Sequence, residues 1–249
     1  MIEYEKTILD NSRQKKINID PSYKYSDDFY DEYINKFQIN TRKRYLYNLV
    51  KRLFDIISSF LALILLIVPF IIISIAIKID SKGPVIFKNR RVGKNGKIFN
   101  CLKFRSMRIS APSEVATSIG GVECYITKVG RFLRKTSLDE LPQLFNVLIG
   151  EMSIIGYRPL VTTEEKCNNM RDKLGVFKMK PGISGFAQIH GRDDVYYKNK
   201  ALLDAYYVKN ASIRMDFSIL FYSVKVVLKK EGNNDKTKDN ENEKVTQEE

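Results

Sequence analysis

Residues 56–77 read I-I-S-S-F-L-A-L-I-L-L-I-V-P-F-I-I-I-S-I-A-I, a run of 22 residues without a charge. As a straight helix it measures roughly 33 Å, enough to cross the hydrocarbon core of a bilayer. Its flanks give no orientation. Arg42, Lys43, Arg44, Lys51 and Arg52 precede it, and Lys78, Lys82, Lys88, Arg90 and Arg91 follow it. Lysine and arginine on both sides remove the asymmetry that tells the cytoplasmic side from the outer side. Pro69 lies beyond the midpoint and takes one hydrogen bond out of a helix there. Two readings fit the composition equally: a span with basic ends, and a kinked helix that enters and leaves through the cytoplasmic face.

The chain of 249 residues has room for one substantial domain with appendages. It carries 42 Lys+Arg against 29 Asp+Glu, a formal charge of +13 and a pI near 9.5. Such a balance points to an anionic partner: nucleic acid, a nucleotide or lipid headgroups. The apolar run favours the membrane. Cysteines at 101, 124 and 167 form no C-x-x-C pair, so neither a disulfide framework nor a zinc site is expected, and the catalytic part is expected to face a reducing cytoplasm. One histidine, His190, and no tryptophan argue against a His-based metal site or a Ser-His-Asp triad. Carboxylates, arginines and lysines are left to carry the chemistry.

Upstream of the apolar run, residues 1–44 are polar and aperiodic, the pattern of a flexible arm. No secretory signal is expected, because the first apolar run begins only after residue 52. Downstream, Ser81-Lys82-Gly83-Pro84 marks a turn. Val85-Ile86-Phe87 and Lys97-Ile98-Phe99 then flank Asn95-Gly96, a dipeptide that favours φ > 0 at both residues and so predicts a basic β-hairpin. Lys103 and Arg105 add further cations, and residues 110–124 read as a loop.

The chemistry concentrates at Ser137–Gln143, S-L-D-E-L-P-Q. Asp139 and Glu140 are adjacent carboxylates just after Arg131, Arg134 and Lys135. Leu141, Leu144, Phe145, Leu148 and Ile149 form a helical stripe ended by Gly150, which predicts the acidic pair at a helix N-terminus, where positive potential keeps carboxylates ionised. An ionised Asp can act as a nucleophile. Ser137 and Glu140 also have capping-box spacing. Pro142 opposes that reading, since as the fifth helical residue its ring would meet the carbonyl of Leu138.

Beyond it, Arg158-Pro159 closes one Gly/Pro turn, and Pro181–Gly185 forms a second, followed by Arg192. Two rigid turns carrying arginines could converge on a diphosphate, or could simply present solvated arginines. His190 reads as a hydrogen-bonded structural residue. Residues 160–178 read as a surface helix, and 199–209 and 213–230 as helices, the last either lying in the interface with its lysines toward headgroups or packed as a C-terminal helix. The tail from Glu231 is polar and expected to be disordered.

Several motifs occur together in a fixed order: K-R-L-F-D at 51–55, S-K-G-P-V-I-F at 81–87, R-V-G-K-N-G-K-I-F at 91–99, K-F-R-S-M at 103–107, the long stretch V-G-R-F-L-R-K-T-S-L-D-E-L-P-Q-L-F-N-V-L-I-G-E-M-S at 129–153, R-P at 158–159 and P-G-I-S-G-F-A-Q at 181–188. With them the chain resembles the small monotopic bacterial phosphoglycosyl transferases, sugar transferases that begin assembly of capsules, exopolysaccharides and glycans. The resemblance runs from Lys51 to about Leu228. It implies transfer of sugar-1-phosphate from a nucleotide diphosphate sugar, usually a UDP-sugar, to polyprenyl phosphate, with release of UMP and with Mg²⁺ as cofactor. Asp139 matches the nucleophile and a metal ligand, Glu140 its dyad partner and Arg134 an arginine near the phosphate. The expected phosphate-binding set is Arg134, Arg158, Arg192, Lys103 and Arg105.

The resemblance also favours the re-entrant reading, with Pro69 as the break, although Val68 stands where the family has serine. Tyr157, Ser184, Phe186 and His190 are further departures from the family pattern, and Tyr157 and His190 bear on the choice of sugar. The expected fold is α+β, mainly α: a monotopic membrane protein with a re-entrant N-terminal helix, a small hairpin and interfacial amphipathic helices. Its expected parts are a flexible arm over 1–48, a re-entrant helix over 49–80, a cytoplasmic catalytic domain over 81–228 and a disordered tail over 229–249. The expected place is the cytoplasmic face of a bacterial membrane, with membrane lipids as partners, no nucleic acid, and room for a homodimer. The competing reading is a membrane-tethered basic protein that binds nucleic acid or lipid without catalysis.

Overall fold

The computed structural model describes residues 23–36, 44–111, 123–191 and 195–228, and in it the apolar run is two helices. Helix α1 is Asp27–Lys36, and the run itself is shared between α2 (Tyr45–Leu65) and α3 (Ile67–Asp80), which meet at Leu66 with a bend of 62°. Pro69 accounts for the break. It has no N–H to give the carbonyl of Leu65, and its ring crowds that carbonyl, whereas in the first turn of α3 the missing N–H costs nothing. The bend forms with Val68 in place of a serine. Hydroxyls elsewhere in the pair bond back to their own helices, Ser74 Oγ to the Phe70 carbonyl at 2.6 Å for example. Among the described residues no single helix is long and apolar enough to cross a membrane, and only the bent pair together meets that standard of length and composition.

The hairpin forms as the Asn-Gly turn predicts. Strands β1 (Ile86–Val92) and β2 (Ile98–Phe104) pair antiparallel, Ile86 opposite Phe104 and Val92 opposite Ile98, with Asn95 at φ 57° and Gly96 at φ 71°. Residues opposite one another share a face. Arg91, Cys101 and Lys103 therefore point one way, and Ile86 and Phe104 the other. Phe104 packs with Ile77 of α3 and with Leu133, which ties the hairpin to the end of the apolar run.

Leu133 belongs to α4 (Lys128–Lys135), whose first turn is capped by Thr127 accepting from the Gly130 amide at 3.0 Å. A Cβ on Gly130 would lie 2.0 Å from the Ser106 carbonyl oxygen, so only glycine lets α4 lie against the backbone that leaves β2. The acidic pair departs from expectation. It sits on a separate 3₁₀ turn, Leu138–Glu140, ahead of α5 (Gln143–Ile149), and Ser137 adopts φ 57° without making a side-chain cap. The capping box is absent because Pro142 cannot occupy a helix interior. The chain tightens into one turn and restarts its helix at Pro142.

Strands β3 (Ser153–Ile155) and β4 (Gly182–Ser184) pair in parallel. Around them lie α6 (Glu165–Lys173), α7 (Phe186–Ile189), α8 (Tyr197–Asn210) and α9 (Ile213–Leu228), with a core that includes Ile155, Tyr157, Phe177, Leu202 and Tyr207. Two segments are more buried than their composition suggests. Part of the polar arm folds, since Tyr30 of α1 is 1% exposed and donates to Asn199 Oδ1 on α8 at 2.7 Å. The segment read as a surface helix buries Cys167, Met170 and Arg171 of α6. The expectations for residues 1–22, 37–43, 112–122 and 229–249 fall outside the described residues.

The K-R-L-F-D motif proves structural. Arg52 donates to the carbonyls of Val147 and Leu148 at 2.7 and 2.9 Å, closing the C-terminal end of α5. One turn on, Asp55 Oδ1 accepts from Ser153 Oγ and the Ile154 amide, both at 3.0 Å. Residues three apart share a helix face, so α2 grips α5 with one and β3 with the other.

Candidate active site

The polar face of the hairpin meets the 3₁₀ turn. Lys103 reaches Glu140 Oε1 from β2 at 2.8 Å, and Arg158, just after β3, reaches the same oxygen at 3.0 Å. Arg91, Cys101, Gln143 and Pro159 complete a small pocket around this pair of contacts. Asp139 lies beside it, 8% exposed, with Oδ2 at 3.8 Å from Lys103 Nζ, outside hydrogen-bond range. Arg134 stands on the other side of Asp139 on α4, held by its Nε donating to Ser106 Oγ at 2.9 Å.

These positions separate the two carboxylates. Burial opposes the charge on Glu140, yet Arg158 and Lys103 together hold its carboxyl well below the usual range. Burial pushes the Asp139 carboxyl up, with Lys103 opposing the shift and the neighbouring Glu140 adding to it. Glu140 is thus committed to two cations, and Asp139 is the more basic and less encumbered carboxylate. When environments push two titratable groups apart in this way, they mark different roles.

The pocket also carries excess positive charge. Arg91, Lys103 and Arg158 line it with Glu140, and beside it Arg134 acts electrostatically on Asp139. Burial and the adjacent Arg158 both work against the charge on Arg91, whose Nε is buried without a partner while Nη1 donates to the Pro159 carbonyl at 3.2 Å. An anion with two or more negative charges would neutralise this pocket.

Within residues 46–230, where these elements lie, the chain matches the family model described as bacterial sugar transferase. The chain belongs to the bacterial sugar transferase family. An undecaprenyl-phosphate galactose phosphotransferase of Salmonella typhimurium is 38% identical over 231 residues, 86% of this chain and 47% of the relative. A UDP-glucose:undecaprenyl-phosphate glucose-1-phosphate transferase of Klebsiella pneumoniae is 42% identical over 181 residues, 70% of this chain and 39% of the relative. The chain spans less than half the length of those two relatives. The exopolysaccharide production protein ExoY of Rhizobium meliloti is 37% identical over 197 residues, 72% of this chain and 85% of the relative.

Of the site residues read from the sequence, the fold brings together Asp139, Glu140, Lys103, Arg134 and Arg158. Arg105 goes elsewhere. It turns back to the end of α3 and donates to the carbonyls of Ser81 and Lys82 at 2.6 and 3.0 Å, a helix-end role that a long cationic side chain fills well. Arg192 lies outside the described residues. His190 bonds its own helix, Nδ1 to the Phe186 carbonyl at 2.8 Å, as expected of a structural histidine. Sequence reasoning missed Arg91, Cys101 and Gln143 as pocket residues. Strand alternation from Lys103, carried across the hairpin, was the signal for the first two.

The donor set bears on a metal. Among the described residues no three His, Cys, Asp or Glu side chains cluster as a protein cage. Mg²⁺ is commonly held by one or two carboxylates with substrate phosphates supplying the rest, and Asp139 fits that pattern.

Proposed function

We propose that this sugar transferase moves sugar-1-phosphate from a UDP-sugar to polyprenyl phosphate in two displacements at Asp139. The observation that carries this reading is the division of the dyad, with Glu140 fixed between Lys103 and Arg158 and the buried Asp139 carboxylate beside the pocket, left without a hydrogen bond among the described residues. Asp139 attacks the sugar-bearing phosphorus, the bond from that phosphorus to the bridging oxygen breaks, and UMP leaves with its electron pair. The phosphate oxygen of the lipid then attacks the same phosphorus and releases the Asp139 carboxylate, giving polyprenyl diphosphate sugar. Splitting one displacement into two in this way is the use of a covalent nucleophile. Arg91, Lys103, Arg134 and Arg158 neutralise the charge gathered on the transferring group. Asp139 would hold Mg²⁺ together with the donor's phosphates, and the ion supplies Lewis-acid neutralisation when bound.

The bent pair supports a re-entrant anchor. Leu49, Leu53, Ile57, Leu61, Ile71 and Ile75 are large apolar side chains left exposed on α2 and α3, cations flank both ends, and the chain changes direction by 62° between the two helices. Lodged in the cytoplasmic leaflet of a bacterial membrane, this pair would hold the pocket where a soluble nucleotide sugar meets a lipid acceptor. The test is UMP release from UDP-sugars in the presence of polyprenyl phosphate and Mg²⁺. Release that needs Asp139 supports the reading, and wild-type turnover by Asp139→Asn contradicts it.

A further inference from the structure

Arg171 of α6 is 0% exposed and Asp204 of α8 is 1% exposed, and Arg171 Nη2 donates to Asp204 Oδ2. Arg171 Nη1 donates to the carbonyl of Arg158 at 2.9 Å. Its guanidinium carbon lies 5.4 Å from the ring centre of Tyr157, the residue before Arg158. On the far side, Arg91 donates to the carbonyl of Pro159. The backbone on either side of Arg158 is thus pinned, and the one side chain it aims outward is the guanidinium on Glu140.

Stability is a poor explanation for such a pair. Burying two charges carries a large desolvation cost, and apolar residues of similar volume often serve as well or better. This pair is also incompletely satisfied, because Arg171 Nε and Asp204 Oδ1 are both buried without partners. A guanidinium offers what an apolar side chain cannot, two directed donors at fixed angles, one for the acid and one for a backbone carbonyl.

We infer that Asp204 and Arg171 are positioning residues, a buried pair that fixes the Arg158 backbone so that its side chain is held on Glu140. The inference rests on the transferase reading above. It places the control of the dyad about 30 residues (Arg171) and about 65 residues (Asp204) along the chain from the acids themselves, in helices that supply none of the pocket's lining.

The test uses the full chain in membranes or detergent with a UDP-sugar and polyprenyl phosphate. Arg171→Lys keeps the charge and loses the fork, and the double variant Arg171→Met with Asp204→Leu removes both charges so that neither is stranded. Both are expected to fold and to lose roughly 10²-fold in kcat/KM, the scale of a small misplacement of a catalytic group. The loss is expected in kcat, with KM for the UDP-sugar within about threefold, because the displaced side chain acts on the dyad. Introduced into an Arg158→Ala background, either change is expected to cost less than threefold further, because its effect passes through Arg158. A folded double variant with normal activity would overturn the inference. So would an undiminished loss in the Arg158→Ala background, or a double variant that cannot fold, which would make the pair a requirement of the core. Failure of the wild-type chain to release UMP would instead strike the transferase reading.

Discussion

Lys103 bonds Glu140 at 2.8 Å and leaves Asp139 beyond hydrogen-bond range. One lysine thereby discriminates between two adjacent carboxylates. It anchors one and, from a distance, moderates the charge of the other, and that difference suits Asp139 to attack and Glu140 to organise.

The pH dependence follows with a definite sign. In the proposed reaction Asp139 must be ionised to attack, and burial raises its carboxyl above the ordinary aspartate value. Activity is therefore complete above the raised value and falls as pH drops through it. The acid limb of kcat/KM is expected above about 4, the ordinary carboxylate range. A limb at or below that value would mean the buried environment does not act on the nucleophile.

Glu140→Gln removes a neighbouring negative charge and loosens Lys103 and Arg158 toward Asp139. All of these lower the Asp139 carboxyl, so the acid limb is expected to move to lower pH while kcat falls by about 10²-fold or more, since the cations are no longer held in place. Steady-state rates across pH separate this from a folding defect, which would lower activity without moving the limb.

Lys103 and Arg105 lie two residues apart and are expected to behave oppositely. Lys103→Ala strips a cation from the dyad, raising the Asp139 carboxyl and cutting turnover. Arg105→Ala instead leaves the Ser81 and Lys82 carbonyls without their donors, which costs about 2 kcal/mol of stability and leaves the activity of the folded fraction within a few-fold. Thermal unfolding and rate measured side by side on both variants check the pair.

How much of this was legible in the sequence depended on how local the cause was. The hairpin turn at Asn95-Gly96 and the break at Pro69 are written in backbone preferences and could be read directly. The dyad was also visible, but its placement on a 3₁₀ turn was not, since helical periodicity from Leu141 onward says nothing of where the helix restarts after Pro142. Choices of partner were hidden. Nothing within ten residues of Arg105 distinguishes a helix-end arginine from a phosphate ligand, and Arg171 meets Asp204 only because α6 and α8 pack together. Tyr30 looked like part of a polar arm because its partner, Asn199, lies on α8.

Pro69→Ala restores the missing N–H and is expected to let the pair α2–α3 straighten. Cysteines placed near residues 45 and 85 of the wild-type chain should both be labelled only from the cytoplasmic side. Straightening would move one of them to the outside in the variant. Labelling from opposite sides in the wild type would establish a span and remove the re-entrant anchor.

Asp55→Ala should loosen α2 from β3. The Ser153 hydroxyl and Ile154 amide would lose their common acceptor, at about 1–3 kcal/mol for buried donors left unpaired. A lower unfolding temperature with the hairpin and its Lys103–Glu140 contact intact is the expected result.

The central claim is that Asp139 carries the phosphosugar between donor and acceptor. The direct measurement is the intact mass of the chain after mixing with a UDP-sugar and Mg²⁺ in the absence of polyprenyl phosphate. The account expects UMP release of up to one equivalent and a mass gain of one sugar phosphate, mapped to Asp139 and lost in Asp139→Asn. No adduct, with UMP appearing only once the lipid acceptor is added, would contradict it.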